Sequence, residues 1–406
     1  MKILILTDSF PPNSLGGADK IAFWQARELK KRGFEVLVVT TVKNKEKEGE
    51  SFYGGLKVFN IYSSYHERWR AYVSLYNFEV VNKVKNIIDN FKPNIVHAHN
   101  IHFYLSYACL KVSKKSGAKV FLTAHDVMSI AYGKLPINRG RLLKNDFKLS
   151  FWDRLRQAKK RFNPFREVII KYYLRHVDKI LAVSRALKEA LNQNGINNVD
   201  VLHNGIDLSD WPSVSKDEIN NFKNKFNLNN KKIILFGGRL SYKKGAESVI
   251  NALKNIPRAV LLVLGENNNY VENLKNKFKK DNILDRIIFI GWIEGRDLLL
   301  SYAASDVVCV PSLYVDPFPT VNLEAMAVGK PVVGTCFGGT KEAVIHNRTG
   351  YVVDPFDTEK LFYYINDLVN NNKKAENFGE EGHIRVKDIF LVYKWLNKIL
   401  DYYNCK

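Results

Sequence analysis

Apolar residues along this chain follow two rhythms. Short β-branched runs recur at Ile3–Leu6, Val36–Thr40, Ile95–His97, Val120–Leu122, Ile180–Val183 and Val199–Leu202. Between them, segments such as Asp19–Arg32 and Phe78–Phe91 place apolar side chains three and four residues apart. The first rhythm predicts buried strands and the second amphipathic helices. Their alternation predicts a parallel sheet covered on both faces. The rhythm breaks after Asn204-Gly205-Ile206-Asp207, where a lysine- and asparagine-rich stretch runs through Asn230. It resumes at Ile233–Phe236 and continues through Val260–Leu264, Ile287–Ile290, Val307–Val310 and Pro331–Gly334. From about Ile384 to Tyr403, apolar and basic positions alternate as they do on a helix.

This organisation predicts two α/β units in series, residues 1–210 and 211–385, with a hinge near Leu208–Ser215 and a terminal helix over 386–406. A length of 406 residues, about twice the usual domain size, supports the division. Hydrophobic residues make up 46% and charged residues 25%, as in soluble globular proteins. No apolar run approaches the roughly 18 residues that span a bilayer. The basic, apolar start Met1–Asp8 reads as a buried first strand, being too short for a secretory signal. Cys109, Cys309, Cys336 and Cys405 lie too far apart for a disulfide framework or a zinc site, so a reducing cytoplasm is expected.

The formal net charge of +21 calls for anionic surroundings or a reason. Thirteen lysines and arginines between Lys134 and Arg175 face only Asp146, Asp153 and Glu167, with seven aromatic residues interleaved. That composition fits an interfacial contact with anionic lipid, and it fits equally a solvated basic face whose aromatics lie in the core. Nucleic acid ranks third, because no helix-turn-helix, ribonucleoprotein or zinc-finger pattern accompanies the charge.

The chemistry-bearing residues cluster after predicted strands. Val307–Val310 leads into Pro311-Ser312-Leu313-Tyr314-Val315-Asp316-Pro317-Phe318-Pro319-Thr320-Val321-Asn322-Leu323-Glu324, so two carboxylates flank a proline-rich loop that opens a helix. N–H groups at a helix start suit phosphate, and carboxylates suit sugar hydroxyls. A nucleotide-sugar carries both. Gly237-Gly238-Arg239 and Lys243-Lys244-Gly245 follow Ile233–Phe236, where Arg239 and Lys244 would grip a diphosphate. Neither a P-loop nor a G-x-G-x-x-G fingerprint is present. Gly16 and Gly17 follow the first strand, and would either admit a ligand to the backbone or form a tight turn. His97 and His99 end one strand and His125 another. No D-x-D pair occurs in the chain, so the cationic pair would replace a metal at the leaving group.

Assembled, these residues resemble glycosyltransferase family 4, retaining and metal-independent enzymes of the GT-B fold. The resemblance runs from the Gly16-Gly17 loop through Val96-His97-Ala98-His99, Thr123-Ala124-His125-Asp126, Leu202–Asp207 and Gly238-Arg239-Leu240 to the block Pro311–Val333. It implies two Rossmann-like, doubly wound parallel-sheet domains facing across a cleft, the donor held mainly by the second and the acceptor by the first. It further implies that the final helix packs back on the first domain. By the same resemblance Arg239 and Lys244 bind the diphosphate, Glu324 the ribose, and Asp316 the sugar hydroxyls, while His125 contacts the sugar near its reacting carbon. Gly16, Gly17, Asn204, Gly238 and the backbone of Phe318, Pro319, Thr320 and Val321 join the donor contacts, and His97 and His99 stand on the acceptor side. The family pattern has glutamate where this chain has Asp316, one methylene shorter, which bears on the choice of donor sugar.

The activity implied is transfer of a sugar from a nucleotide-diphosphate donor to a hydroxyl of a glycan or lipid-linked acceptor. No further cofactor, metal or nucleic-acid partner is expected, and the place of action is the cytoplasm or the cytoplasmic membrane face. Epimerisation or phosphorolysis of a nucleotide-sugar, or non-catalytic binding of one, uses the same features and stays open.

Overall fold

The computed structural model describes residues 1–13, 16–238, 240–266 and 268–404. Arg239 and Cys405 therefore lie outside the described residues. The chain divides into two compact units. One comprises Met1–Pro136, Lys144–Gly205 and the stretch from Val392 onward; the other comprises Ile137–Leu143 and Ile206–Leu391.

The first unit is built on eight strands: β1 (Lys2–Leu6), β2 (Glu35–Val42), β3 (Gly49–Tyr53), β4 (Leu56–Tyr62), β5 (Ile95–Ala98), β6 (Lys119–Ala124), β7 (Lys179–Ala182) and β8 (Val199–Val201). Their order across the sheet is β3-β4-β2-β1-β5-β6-β7-β8. All neighbours are parallel except the hairpin pair β3 and β4. Neither hairpin strand is among those predicted from the sequence: β3 is an edge strand with no buried residue and no hydrophobic run, while β4 carries the alternation of a half-buried strand instead of a continuous apolar run.

The helix Phe78–Phe91 spans the predicted residues. The Asn77 side chain caps its start by accepting from the Val80 N–H, Val80, Val81, Val84, Ile87 and Ile88 form its buried stripe, and Lys92 ends it at φ +51°. The terminal segment is two helices rather than one. Asn372–Arg385 runs into a π-helical turn at Val386–Phe390, Leu391 is extended, and a new helix covers Val392–Asn404. This last helix lies in the first unit, where Arg32 holds it through Asn397 Oδ1 at 2.6 Å and the Tyr393 carbonyl at 3.0 Å.

The second unit contains β9 (Lys232–Phe236), β10 (Ala259–Leu264), β11 (Ile287–Gly291), β12 (Val307–Val310), β13 (Val332–Thr335) and β14 (Gly350–Val353). They form an all-parallel sheet in the order β11-β10-β9-β12-β13-β14. Ile234, Phe236, Leu261, Val263, Val307 and Cys309 pack one face beneath helices that contribute Val249, Leu253, Leu361 and Ile365. β9 has β10 on one side and β12 on the other, so connections leave it in opposite directions. Such a switch point opens a crevice beyond the carboxyl ends of the two strands. The first unit has its own switch between β1 and β5.

Candidate active site

In the second unit the β9 and β12 loops meet at the switch point. Lys244 ends a 3₁₀ turn, Tyr242–Lys244, and Gly245 follows at φ +81°. A Cβ on Gly245 would lie 2.1 Å from the Pro311 carbonyl oxygen, so only glycine lets the two loops touch. Leu313 N–H donates to the Lys243 carbonyl at 2.8 Å, stitching them together. Across this seam Lys244 Nζ donates to Asp316 Oδ2 at 2.7 Å, and the Ser312 hydroxyl donates to the same oxygen at 2.9 Å. Only 19% of the Lys244 side chain and 8% of the Asp316 side chain are exposed, so the pair is mostly shielded from water. The Asp316 backbone is fixed from behind: Gly339 N–H donates to its carbonyl at 2.9 Å, and Gly338 at φ +77° leaves room for that contact.

Glu324 lies on the helix Thr320–Ala327, which begins directly after Pro319. Its carboxylate is buried and accepts a 2.7 Å hydrogen bond from the Tyr302 hydroxyl. Burial and the adjacent carboxylate raise the Tyr302 phenol well above its ordinary value, so it stays a donor. The Tyr302 ring meets Trp211 edge-on at 5.4 Å. Phe318 is buried against Phe390 at 5.9 Å, and the first N–H groups after Pro319 have no intrahelical acceptor. Gly238 stands at φ +117° after β9. Arg239, next to it, lies outside the described residues.

In the first unit, Gly16 precedes the helix Gly17–Lys31, and its N–H donates to Asp19 Oδ2 at 3.1 Å. The Ser9 hydroxyl donates to Asp19 Oδ1 at 2.7 Å. The histidines form a stack: His97 and His99 centroids are 5.0 Å apart, His99 and His125 5.2 Å. His97 is fully buried, and both ring nitrogens are engaged, Nδ1 with the Tyr403 hydroxyl at 2.7 Å and with Gln25, Nε2 with the Thr123 hydroxyl at 2.7 Å. It joins the last helix to the sheet and has no ring nitrogen left to meet an acceptor. His99 is buried as well, its Nδ1 2.9 Å from His125 Nε2. Of the three, His125 alone is partly exposed. Burial pushes the His97 imidazole down to about 3 and His125 to about 4, and holds His99 well below its ordinary value, so all three are neutral at physiological pH. Asn204 is buried in this unit, and its Oδ1 has no partner among the described residues.

Three residues escaped the sequence reading. Tyr302 and Ser312 hold the two carboxylates, and nothing in their local sequence marks them. Asp8, just after β1, accepts N–H groups of Phe103, Tyr104 and Leu105 at 2.7–2.8 Å and shapes the loop after β5. Burial pushes its carboxyl up to about 7 against those three donors. An acidic residue straight after a first strand was the available signal. No group of three or more histidine, cysteine, aspartate or glutamate side chains among the described residues is placed to hold a metal ion.

The halves of the chain match two family models, Glycosyltransferase Family 4 over residues 15–210 and Glycosyl transferases group 1 over residues 217–385. An uncharacterized glycosyltransferase of Methanocaldococcus jannaschii is 26% identical over 414 residues, covering 98% of this chain and 95% of its own. Among solved structures, Anabaena HepE in complex with UDP superposes with a TM-score of 0.75 at 21% identity, covering 99% of each chain. Sucrose-phosphate synthase from Thermosynechococcus elongatus gives 0.78 at 20% identity, covering 99% of this chain and 98% of its own.

Proposed function

Because this chain belongs to glycosyltransferase family 4 and has the GT-B fold, we propose that it moves a sugar from a nucleoside-diphosphate donor to a hydroxyl of a glycan or lipid-linked acceptor. Anomeric configuration is retained and no metal takes part. The observation that carries this reading is the switch-point cluster, in which Lys244, Asp316 and Ser312 share one contact and Glu324 stands on the next helix.

Lys244 and Arg239 neutralise the diphosphate, an effect that grows as the bond from the anomeric carbon to phosphate oxygen breaks. Glu324 accepts from the ribose hydroxyls and Asp316 from the sugar, while the backbone from Phe318 to Val321 cradles the phosphates at the helix start. The Lys244–Asp316 pair has to loosen when the donor arrives, since Lys244 then serves phosphate and Asp316 serves a hydroxyl. His125, kept neutral, donates or accepts at a sugar hydroxyl without adding charge. The acceptor oxygen bonds to the anomeric carbon on the face the diphosphate leaves, and its proton passes to the departing phosphate oxygen, so no separate basic carboxylate is needed.

A thermal-shift screen of nucleoside diphosphates and their sugars identifies the donor, because a ligand of the folded state raises its stability. UDP is the first to try, being the ligand in the Anabaena complex. Incubating the stabilising donor with glycan and lipid-linked acceptors then separates the outcomes. Transfer product supports the proposal. An epimer, a sugar phosphate, or binding with no turnover on any acceptor replaces it with one of the alternative activities. Glu324→Ala must abolish most transfer, and full activity in that variant would sink the assignment.

A further inference from the structure

The basic, aromatic segment was open to two readings, and the side chains separate them. Phe147 is buried, but Phe151 and Trp152, which begin the helix Phe151–Ala158, are 55% and 64% exposed. They do not stand alone. The Phe151 ring meets Trp152 at 5.6 Å and Phe162 at 5.4 Å. The Phe162 carbonyl in turn accepts from the Tyr72 hydroxyl at 3.0 Å, and Tyr72 meets Trp69 at 6.2 Å. Tyr72 and Trp69 are 46% and 49% exposed. Two exposed ring pairs from distant stretches of sequence are therefore joined through Phe162.

The junction has a rigid base. Phe162 packs on the buried Ala71, Tyr132 and Ala158. Asn163 Nδ2 donates to the Ala71 carbonyl at 3.0 Å, and the Tyr132 hydroxyl donates to the Asn163 carbonyl at 2.9 Å, so both stretches are pinned from below. Cations accompany the rings. The Arg68 guanidinium lies 5.2 Å over the Trp69 ring, and Lys159 and Lys160 are exposed with no acidic partner among the described residues. Large rings exposed together mark an interaction surface, whereas scattered single ones are ordinary. Exposed tryptophan and tyrosine rings accompanied by lysine and arginine match the headgroup layer of an anionic bilayer, where rings enter the acyl boundary and cations meet lipid phosphate.

We propose that this face, Trp69, Tyr72, Phe151 and Trp152 with Lys159 and Lys160, seats the first unit on a membrane surface bearing anionic lipid. No helix among the described residues is long and apolar enough to cross a bilayer, so the contact is peripheral. The inference does not depend on the donor reading, since vesicle binding is scored without any sugar transfer.

The test is sedimentation of the full chain with vesicles of phosphatidylcholine alone and with vesicles in which phosphatidylglycerol replaces part of it. The chain pellets with the anionic vesicles and tryptophan emission shifts to the blue; high salt reverses the binding. Each lysine near such a surface is worth about fivefold, so Lys159→Glu/Lys160→Glu weakens partition by at least about twentyfold. Those positions are exposed, and an unchanged melting curve certifies the fold. Phe151→Ser/Trp152→Ser weakens binding and diminishes the blue shift, Trp69 contributing what remains. Equal binding to both vesicle types, or unchanged binding by the charge-reversed protein, overturns the proposal. So does self-association in sedimentation velocity that Trp152→Ser abolishes while neither vesicle is bound.

Discussion

Tyr302→Phe removes a single oxygen from the candidate site and keeps the ring that packs on Trp211. In the native protein that hydroxyl donates to Glu324 Oε2 at 2.7 Å, with both residues buried. The variant leaves a shielded carboxylate short of one charge-assisted donor, a loss of about 2 kcal/mol. For a unit of about 190 residues, this corresponds to a fall in Tm of roughly 4–8 °C. The carboxylate also loses the contact that aims it. If Glu324 grips the ribose in both ground and transition states, nucleoside-diphosphate Kd and donor KM rise on the order of tenfold, while kcat stays within about threefold. Calorimetric titration of the diphosphate measures Kd, scanning calorimetry Tm, and initial rates at varied donor KM and kcat. A variant with normal Tm and normal Kd refutes the claim that this hydroxyl positions Glu324. A variant whose kcat falls while Kd is unchanged refutes the ribose assignment instead.

Lys244→Met should abolish transfer and also destabilise the protein, because the mostly buried Asp316 carboxylate loses its ammonium partner; in Lys244→Met/Asp316→Asn, denaturant unfolding should show stability recovered while rate assays show transfer still absent. Gly245→Ala, whose Cβ would sit 2.1 Å from the Pro311 oxygen, should force the two loops apart and lower both Tm and diphosphate affinity, and normal values of both would show that the seam yields freely. His102 is buried and pushed down to about 4 by burial, against the pull of Asp126, so the unfolded chain takes its proton near 6.5 and the folded chain only near 4. Its neutral-state stability is therefore complete above pH 6.5 and is lost as pH falls toward 4; urea midpoints should show the advantage of wild type over His102→Gln shrinking by about 3 kcal/mol across that window.

Strand-forming runs were legible because buried parallel strands are continuous apolar segments, and Val307–Val310 matched to the residue. What escaped had no such signature. β14 is four residues long and opens on Gly350, and the β3 edge strand is solvated. The break at Val386–Leu391 interrupts an otherwise helical pattern through backbone geometry, to which hydrophobic spacing is blind. Among the site residues, Asp316 and Glu324 were legible because a strand, a proline-rich loop and a helix start leave carboxylates few places to go. Tyr302 was not, because its hydroxyl reaches Glu324 from a helix 22 residues earlier in the chain. The histidines show the opposite failure. His97 and His99 stand two apart at the same strand edge, share a face and read alike, yet long-range partners decide: Tyr403, 306 residues away, occupies His97.

Asp316 takes on a different sense once its surroundings are known. A carboxylate one methylene shorter than the family's glutamate would reach less far toward a sugar, and here it is met halfway by Lys244 and Ser312. Lengthening it by Asp316→Glu without moving the backbone, which Gly338 and Gly339 fix from behind, would push the carboxylate past the Ser312 hydroxyl and into the space of the Lys244 ammonium. Lys244 would then be displaced toward the phosphates or away from them. In the first case, the variant binds nucleoside diphosphate more tightly and turns over a different sugar; in the second, it binds more weakly with every sugar. Measuring diphosphate Kd alongside rates on a donor panel separates the two. If neither Kd nor sugar preference changes, the length of this side chain does not set donor choice.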